Sequence, residues 1–441
     1  MVESKTKVQL YDTYKESGVE WLGEIPKHWE LGRLASILNP VSSKNHPNET
    51  LLSITREKGV IVRNIEDEDS NHNFIPDDLT GYKLLKEGQF GMNKMKAWQG
   101  SYGVSSHKGI VSPAYYTFEF TKDIEPRFFH LAIRSKLYVS FFGKASDGVR
   151  IGQWDLSKNR MKRIPLAIPP LKEQTKIAEF LDDKATKIED AIAIKKQQIN
   201  LLKEHKQILI HKVVTQGLNP NVKLKDSGVE WIGEIPEHWG VKKLKYILNE
   251  KLKYGANESG IDYDVKLPRY IRITDFGNDG KLNEKNKLSL SWKNGGDYLL
   301  NDGDILFARS GATVGKTYQF KKSMSIENEY CFAGYLIKAE ANEEIILSDF
   351  LYLFTNSELF NKWKDSIFIK ATIENIGADK YSQLNVIVPP LNEQKEILIK
   401  YSNDNSKIET AIRLKQQEIE KLKEYKSSLI NSVVTGKVKV C

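Results

Sequence analysis

Gly311–Thr317, GATVGKT, has the composition of a phosphate-binding loop and follows an apolar run, DILFA at 304–308, that reads as a strand. A Walker A loop wraps phosphate with successive backbone N–H groups, and it needs four residues between its first glycine and the Gly-Lys pair. Here Gly311 and Gly315 are separated by three residues, and the position one earlier is Ser310. The loop is one residue short, so a glycine-rich turn is the better reading than a nucleoside triphosphatase site. The sequence contains no H-E-x-x-H metal motif, no G-x-S-x-G elbow, and no dinucleotide or methyl-donor fingerprint. His28 and His238 stand at matched places beside Trp29 and Trp239, and repetition in both halves fits packing or docking better than a metal or catalytic role. Cys331 and Cys441 are the only cysteines. Two distant cysteines make neither a disulfide framework nor a zinc site, and they suit a reducing cytoplasm.

The elements that must position these groups lie in a chain of 441 residues, long enough for two or more domains. Net charge is +8, which favours a polyanionic partner or, equally, a lysine-rich solvated surface. The first residues, MVESKTKVQLYDTYKES, have no apolar core of a signal peptide, and no apolar run is long enough to span a membrane. A cytoplasmic location is expected.

The sequence is written twice. ESGVEWLGEIPKHW at 16–29 returns as DSGVEWIGEIPEHW at 226–239. IPPLKEQTKIAEFL from Ile168 returns as VPPLNEQKEILIKY from Val388, with about half the positions matching as far as the VVT at 213–215 and 433–435. The order is short block, variable stretch, helical block, then the same again.

Each helical block opens at a Pro-Pro pair, Pro169–Pro170 or Pro389–Pro390, that disfavours helix before it. Glu173 and Glu393 fall in the first turn, where the helix dipole favours an anion. Leu181, Ile188, Leu202 and Leu209 then form a heptad stripe with Ala185, Ile192, Ile199 and Val213 beside it. In the second block the stripe is Tyr401, Ile408, Leu422 and Leu429, with Ile412, Ile419 and Val433. Lys195, Lys206, Lys415 and Lys426 interrupt the seam, either to fix its register or by snorkelling to solvent. Gly217 and Gly436 mark the helix ends. Helices of roughly 43 residues would span about 65 Å.

Between these blocks, short β-rich runs such as GIVSPAYYTFEF (109–120) and YIRITDF (270–276) alternate with Gly, Asn and Asp. Each globule also has an apolar-periodic segment that predicts a helix, FFHLAIRSKLYVSFF (128–142) and SDFLYLFTNSELFNKWK (348–364). The two globules share plan and length but hardly any sequence. A frame kept alike around globules that diverge is what different targets on one scaffold would produce. Plain tandem duplication would let both drift evenly.

These motifs together resemble the specificity subunits of type I restriction–modification systems. The resemblance rests on SGVEWLGEIPKHW, NKMKAWQGSYGVSSHKGIVSPAYY (93–116), IGQWDLSKNRMKRIPLAIPPLKEQ (151–174), VTQGLNPN (214–221), GDILFARSGATVGKT (303–317) and ATIENIGADKYSQLNVIVPPLNEQ (371–394). It implies an α+β fold with two mixed α/β target-recognition domains, separated by two long antiparallel coiled-coil helices in a pseudo-two-fold internal duplication. The regions would be a first recognition domain at 1–165, including a repeated segment at 11–29, and a central helical region at 166–217. A second recognition domain at 218–385, with its repeat segment 226–239, and a helical region at 386–441 would follow. It further implies that each domain reads half of a bipartite, asymmetric DNA site. The helices would set the spacer and dock two methyltransferase subunits, through which a restriction and translocation subunit joins. S-adenosylmethionine, ATP and magnesium would belong to those partners, leaving this chain without cofactor, metal or catalytic residues. Shortening both helices by one matched heptad would then shorten the spacer by about 10 Å.

Arginine reads guanine, asparagine and glutamine read adenine, and lysine mostly holds phosphate. On that basis the candidate DNA contacts are Asn93, Lys94, Lys96, Gln99, Arg150 and Gln153 in the first globule. In the second they are Arg309, Ser310, Thr313, Lys316, Lys370 and Asn375. Trp98 and Trp154 read as core rather than as base-stacking residues. The rival readings are a coiled-coil DNA-binding scaffold without sequence preference and the triphosphatase built on Gly311.

Overall fold

The structure is a computed structural model that describes residues 9–64, 75–150, 153–277, 280–311, 314–368 and 375–440. By internal contacts the chain forms two compact units. Unit 1 is Met1–Lys196 with Gln416–Cys441, and unit 2 is Gln197–Lys415. The helical blocks, read above as regions of their own, therefore divide between the units. The first long helix is Leu171–Thr215 and the second is Leu391–Val434.

Each unit has the same plan. In unit 1 the segment before the globule folds as a hairpin, Tyr14–Glu16 against Glu24–Pro26. The strands that open and close the globule, Glu30–Arg33 and Pro165–Ile168, pair antiparallel, so its two ends meet at the start of the first long helix. Between them lies a four-stranded antiparallel sheet in the order Leu38–Val41, Tyr116–Phe120, Phe90–Met92, Tyr102–Val104. In unit 2 the hairpin is Leu224–Asp226 with Glu234–Pro236, and the closing pair is Gly240–Lys243 with Asn385–Val388. Its sheet runs Lys253–Tyr254, Leu336–Ala339, Ile305–Ala308, Thr317–Gln319, the same order in strands of unrelated sequence. The α+β class and the internal duplication are thus visible in backbone pairing where the residues themselves have diverged.

Unit 2 also carries a second sheet, Ile261–Asp262, Leu288–Ser289, Arg269–Ile271 and Tyr330–Phe332. It is fixed by the buried Arg269, whose guanidinium bonds Glu284 at 2.9 Å and Glu327 at 3.3 Å. Burial alone would raise the Glu327 carboxyl, but the bonds from Lys287 and Tyr330 and the charges of Arg269 and Lys287 hold it down at about 2.

The apolar segments predicted as one helix per globule are two helices each. Pro126–Ile133 is followed by Lys136–Lys144, and Ser348–Thr355 by Glu358–Phe368. The breaks fall at Arg134–Ser135 and Asn356–Ser357. Serine and asparagine offer the backbone competing hydrogen bonds, and here Ser357 Oγ donates to the Phe354 carbonyl at 2.6 Å.

The heptad stripe is buried or half-buried at every seam position named above, with Val433, Leu181, Val213 and Ile419 the most enclosed. The seam lysines pair across to the other helix. In unit 1, Lys195 bonds Glu418 and Lys426 bonds Glu189. In unit 2, Lys206 bonds Glu409 at 2.6 Å. In unit 1 the partner number falls as the first helix advances, so the two helices run antiparallel there.

The repeated motifs meet at one joint in each unit. Trp29 and Trp239 are fully buried, and their indole N–H groups donate to Glu173 at 3.1 Å and Glu393 at 2.9 Å. His28 and His238 reach the same carboxylates at 2.8 Å and 2.6 Å. The next residue of the helix, Gln174 or Gln394, is also buried. Gln174 donates to the Pro169 carbonyl and accepts the N–H of Glu125, the N-cap of the globule's first helix. Gln394 donates to the Pro389 carbonyl and accepts the N–H of Leu347, the corresponding cap. The Pro-Pro-Leu-x-Glu-Gln motif is thus a bracket: its glutamate grips the short repeat and its glutamine grips the globule.

Each indole lies over a glycine with positive φ. Gly217 (φ +70°) and Gly436 (φ +75°) end the long helices, and a Cβ on either would come within 2.9 Å of Trp239 or 3.2 Å of Trp29. In unit 2 the chain then continues directly into the Leu224–Asp226 strand. In unit 1 the same join is made by two separate stretches: Lys439 N donates to Gln9 O at 2.8 Å, and Val438 and Val440 pack on the core.

Candidate nucleic-acid interface

In each unit a loop that carries several of the described candidate residues joins the same two strands of the sheet. The loop 93–101 connects Phe90–Met92 to Tyr102–Val104, and the loop 309–316 connects Ile305–Ala308 to Thr317–Gln319. These are the same strand pair in the shared sheet order.

In unit 1, Asn93 is buried and committed within the fold. Its Nδ2 donates to Tyr115 Oη at 3.2 Å, and its Oδ1 accepts the N–H of Met95 at 3.2 Å. Lys94 is half-buried, Lys96 is exposed and Gln99 is half-buried. The hairpin Ser146–Arg150 with Gln153–Leu156 lies against this loop. Leu156 N donates to Lys94 O at 3.3 Å, and Lys94 Nζ stands 3.5 Å from Asp155. Arg150 pairs with Gln153 near the tip of that hairpin. Trp98 and Trp154 stack on each other with centroids 5.3 Å apart. Trp154 is nevertheless 36% exposed, so it is a surface platform over a half-buried partner rather than core.

Sequence reasoning missed the lysines behind this loop. Lys83 Nζ donates to Tyr115 O at 2.7 Å. Burial lowers its pKa, and the neighbouring charges of Lys44, Lys158 and Lys94 lower it further. Lys158 Nζ lies 5.2 Å from the centre of the Tyr116 ring. Concentrated positive charge interleaved with tyrosines suits a phosphate backbone. These lysines are scattered in sequence from 44 to 158, so no local motif marks them.

In unit 2, Arg309, Ser310 and Asn375 come together. Ser310 and Asn375 form a β-bridge, and Arg309 Nε donates to Asn375 Oδ1 at 3.4 Å. The Arg309 guanidinium lies 5.1 Å from the centre of the Tyr254 ring, which holds its plane. Tyr254, unmarked by any motif, is itself anchored where its hydroxyl accepts the N–H of Ala378 at 2.9 Å. Lys316, on the same loop, donates to Phe276 O at 2.8 Å. Thr313 and Lys370 lie outside the described residues.

The geometry also decides the Gly311 loop. A phosphate-binding loop runs from a strand into a helix, whose N-terminus faces the anion. Here it runs from strand to antiparallel strand, with Ala308 N donating to Lys316 O and Gly315 N to Ala308 O. It is a hairpin turn. Among the described residues no helix is long and apolar enough to cross a membrane.

Two globules of one sheet order on a duplicated helical frame, each presenting its own polar loop at the same strand pair, define a tandem recognition protein. The type I restriction modification DNA specificity domain matches residues 83–204 and 236–424, and the chain belongs to that family. Relatives include the MjaVIII type I restriction enzyme specificity subunit of Methanocaldococcus jannaschii, 25% identical over 76% of this chain and 75% of its own. The EcoKI specificity subunit of Escherichia coli K12 is 27% identical over 60% of this chain and 55% of its own. The fold is shared with a structure from the assembly of a type I restriction–modification system (TM-score 0.68, 15% identity, 93% of this chain and 98% of that one). It is also shared with the HsdS subunit of Thermoanaerobacter tengcongensis (TM-score 0.51, 15% identity, 94% and 98%). The chain is a DNA-specificity component of the type I kind.

Proposed function

We propose that each unit reads one half of a bipartite DNA site. The loop at 93–101 with the hairpin at 146–156 does so in unit 1, and the loop at 309–316 with Asn375 does so in unit 2. The observation that carries this reading is that the two loops occupy the same place in matched sheets while their chemistry differs. Different chemistry at equivalent places means different half-sites, hence an asymmetric target. Replacing 240–385 with the corresponding globule of a relative is expected to change one half-site and leave the other unaltered, as read by methylome sequencing. A change in both halves would end the reading.

The helices fix the spacer and carry two methyltransferase subunits, through which the restriction and translocation subunit is recruited. S-adenosylmethionine, ATP and magnesium act in those partners, in the cytoplasm. This chain selects sequence and performs no bond chemistry. Purified alone, it is expected neither to methylate nor to cut DNA, and methyl transfer to a target duplex without partner subunits would overturn that.

Positioning and reading separate by mutation. Lys94→Ala or Lys96→Ala is expected to weaken binding to all duplexes and to lower the salt slope by about one for each phosphate that is no longer neutralised. Arg309→Ala is expected to relax preference at one base pair, by about 1–3 kcal/mol, because Asn375 and Tyr254 hold the guanidinium ready for bidentate bonding. Binding titrations against single-base variants check both, and unaltered specificity in Arg309→Ala would make Arg309 a structural residue.

A further inference from the structure

Two side chains four residues apart on one helix of unit 1, His130 and Arg134, grip the chain behind the reading loop. Arg134 caps the helix Pro126–Ile133 and is half-buried. Its guanidinium is spread over four main-chain carbonyls. Nη1 donates to Gly100 O at 3.2 Å and Tyr102 O at 2.7 Å, and Nη2 donates to Arg56 O at 2.9 Å and Glu57 O at 2.8 Å. Among the described residues it has no carboxylate partner. The carbonyls belong to two segments distant in sequence, the turn between Leu52–Thr55 and Gly59–Val62 and the end of loop 93–101.

His130 holds the same two segments. Its Nδ1 accepts the N–H of Val104 at 3.2 Å. Its ring is seated between two glycines: a Cβ on Gly59 would stand 3.1 Å, and one on Gly103 3.0 Å, from imidazole Cε1. Gly59 also has φ +71°, where a side chain would be strained.

A half-buried cation satisfied only by carbonyl dipoles is a demanding way to join two turns. Unit 2 does without it. The residue capping the equivalent helix is Asn356, whose Nδ2 turns back to Tyr352 O at 2.8 Å. What unit 1 gains is directional: a planar guanidinium bonded to four carbonyls fixes where Gly100 and Tyr102 lie. The far end of the loop is closed by Asn93 N donating to Ser101 O at 2.9 Å. Lys94, Lys96 and Gln99 lie between these two fixed points.

We propose that His130 and Arg134 form a clasp that positions the loop 94–100 and thereby sets discrimination at the half-site read by unit 1. They are positioning residues, acting through the loop rather than on DNA. The proposal rests on the two-half-site reading above.

The test uses the full chain with its methyltransferase partner and duplexes carrying single-base changes in either half-site. Arg134→Lys keeps the charge but cannot span four carbonyls. Gly103→Ala leaves both clasp residues in place and presses a methyl group against the imidazole. His130→Asn keeps an acceptor near Nδ1, whereas His130→Leu keeps bulk without one. Arg134→Lys, Gly103→Ala and His130→Leu are each expected to lower discrimination at the unit 1 half-site at least about ten-fold. Discrimination at the other half-site should stay as in wild type, and His130→Asn should restore most of the loss. Full discrimination in a folded Arg134→Lys or, if that variant fails to fold, in Gly103→Ala would overturn the clasp. Equal loss at both half-sites would overturn it too, by showing general destabilisation. If the wild-type chain itself fails to separate target from random duplex, the two-half-site reading falls instead.

Discussion

Trp29→Ala is expected to destabilise unit 1 by about 3–5 kcal/mol and to leave unit 2 nearly untouched, with Trp239→Ala doing the reverse. Each indole is fully enclosed in the core of its own unit. Trp29 packs beside Tyr11, with ring centroids 5.8 Å apart, and covers Gly436, so truncation opens a void that neither the ring nor the glycine turn can fill. It also removes the indole donor from Glu173, which would keep the Tyr11 hydroxyl at 2.6 Å and the His28 ring at 2.8 Å. Trp29→Phe separates the two effects: it keeps most of the packing, loses the donor, and should cost about 1–2 kcal/mol. Amide hydrogen exchange locates the damage. Loss of protection in Trp29→Ala should fall on the strands Glu30–Arg33 and Pro165–Ile168 and spare Gly240–Lys243 and Asn385–Val388. Equal loss in both units would show that the shared helices make the chain unfold as one body.

This joint was half legible in the sequence. The matched His-Trp pairs pointed to packing or docking, and the first-turn glutamates were placed by the helix dipole. That the two motifs meet was not readable, because they are separated by a whole globule and no local period links them. A heptad is a local pattern, and of the residues it marks Ile188, Ile199, Ile408 and Ile419 are buried. The partners of the seam lysines were not readable, because Glu189 and Glu409 sit outside the apolar stripe and match only across the helix pair. In the globules, candidate loops were found from their glycines and cations, and both fall at the same strand pair. Burial was invisible there. Asn93 looks like a base-reading amide in sequence and is enclosed under Tyr115, whereas Trp154 looks like core and stands at the surface. Tyr254, Lys83, His130 and Arg134 carry no motif at all; only the fold brings them to the loops they hold.

His130 should make unit 1 selectively sensitive to acid. Burial, and then the neighbouring Arg134 charge, lower its pKa from 6.5 to about 4, so the imidazole is neutral in the folded protein at pH 7. In the unfolded chain the ring binds a proton near its ordinary value. Stability from this group is therefore complete above about pH 6.5 and is lost as the pH falls toward the folded value of about 4. Between pH 7 and pH 4.5 the linkage amounts to about 2.5 kcal/mol, an order-of-magnitude figure for a mostly buried ring. The groups facing it explain why the protein does not simply tolerate the proton. Val104 N–H already uses Nδ1, the Arg134 guanidinium lies on the same helix face, and the backbone at Gly59 and Gly103 packs closely against the ring. A charged ring would have to give up the Val104 bond or push away from Arg134, and either movement loosens the turn at Arg56–Glu57 and the strand Tyr102–Val104. Carboxylates elsewhere also titrate in this range, so wild type must be compared with His130→Asn, which does not. Chemical denaturation at both pH values is expected to show the stability advantage of wild type over the variant shrinking by about 2.5 kcal/mol at pH 4.5. Exchange of the Val104 amide should accelerate over the same interval in wild type while the unit 2 sheet stays protected. A gap between wild type and variant that is the same at pH 7 and pH 4.5 would mean that the ring takes up its proton without opening the clasp.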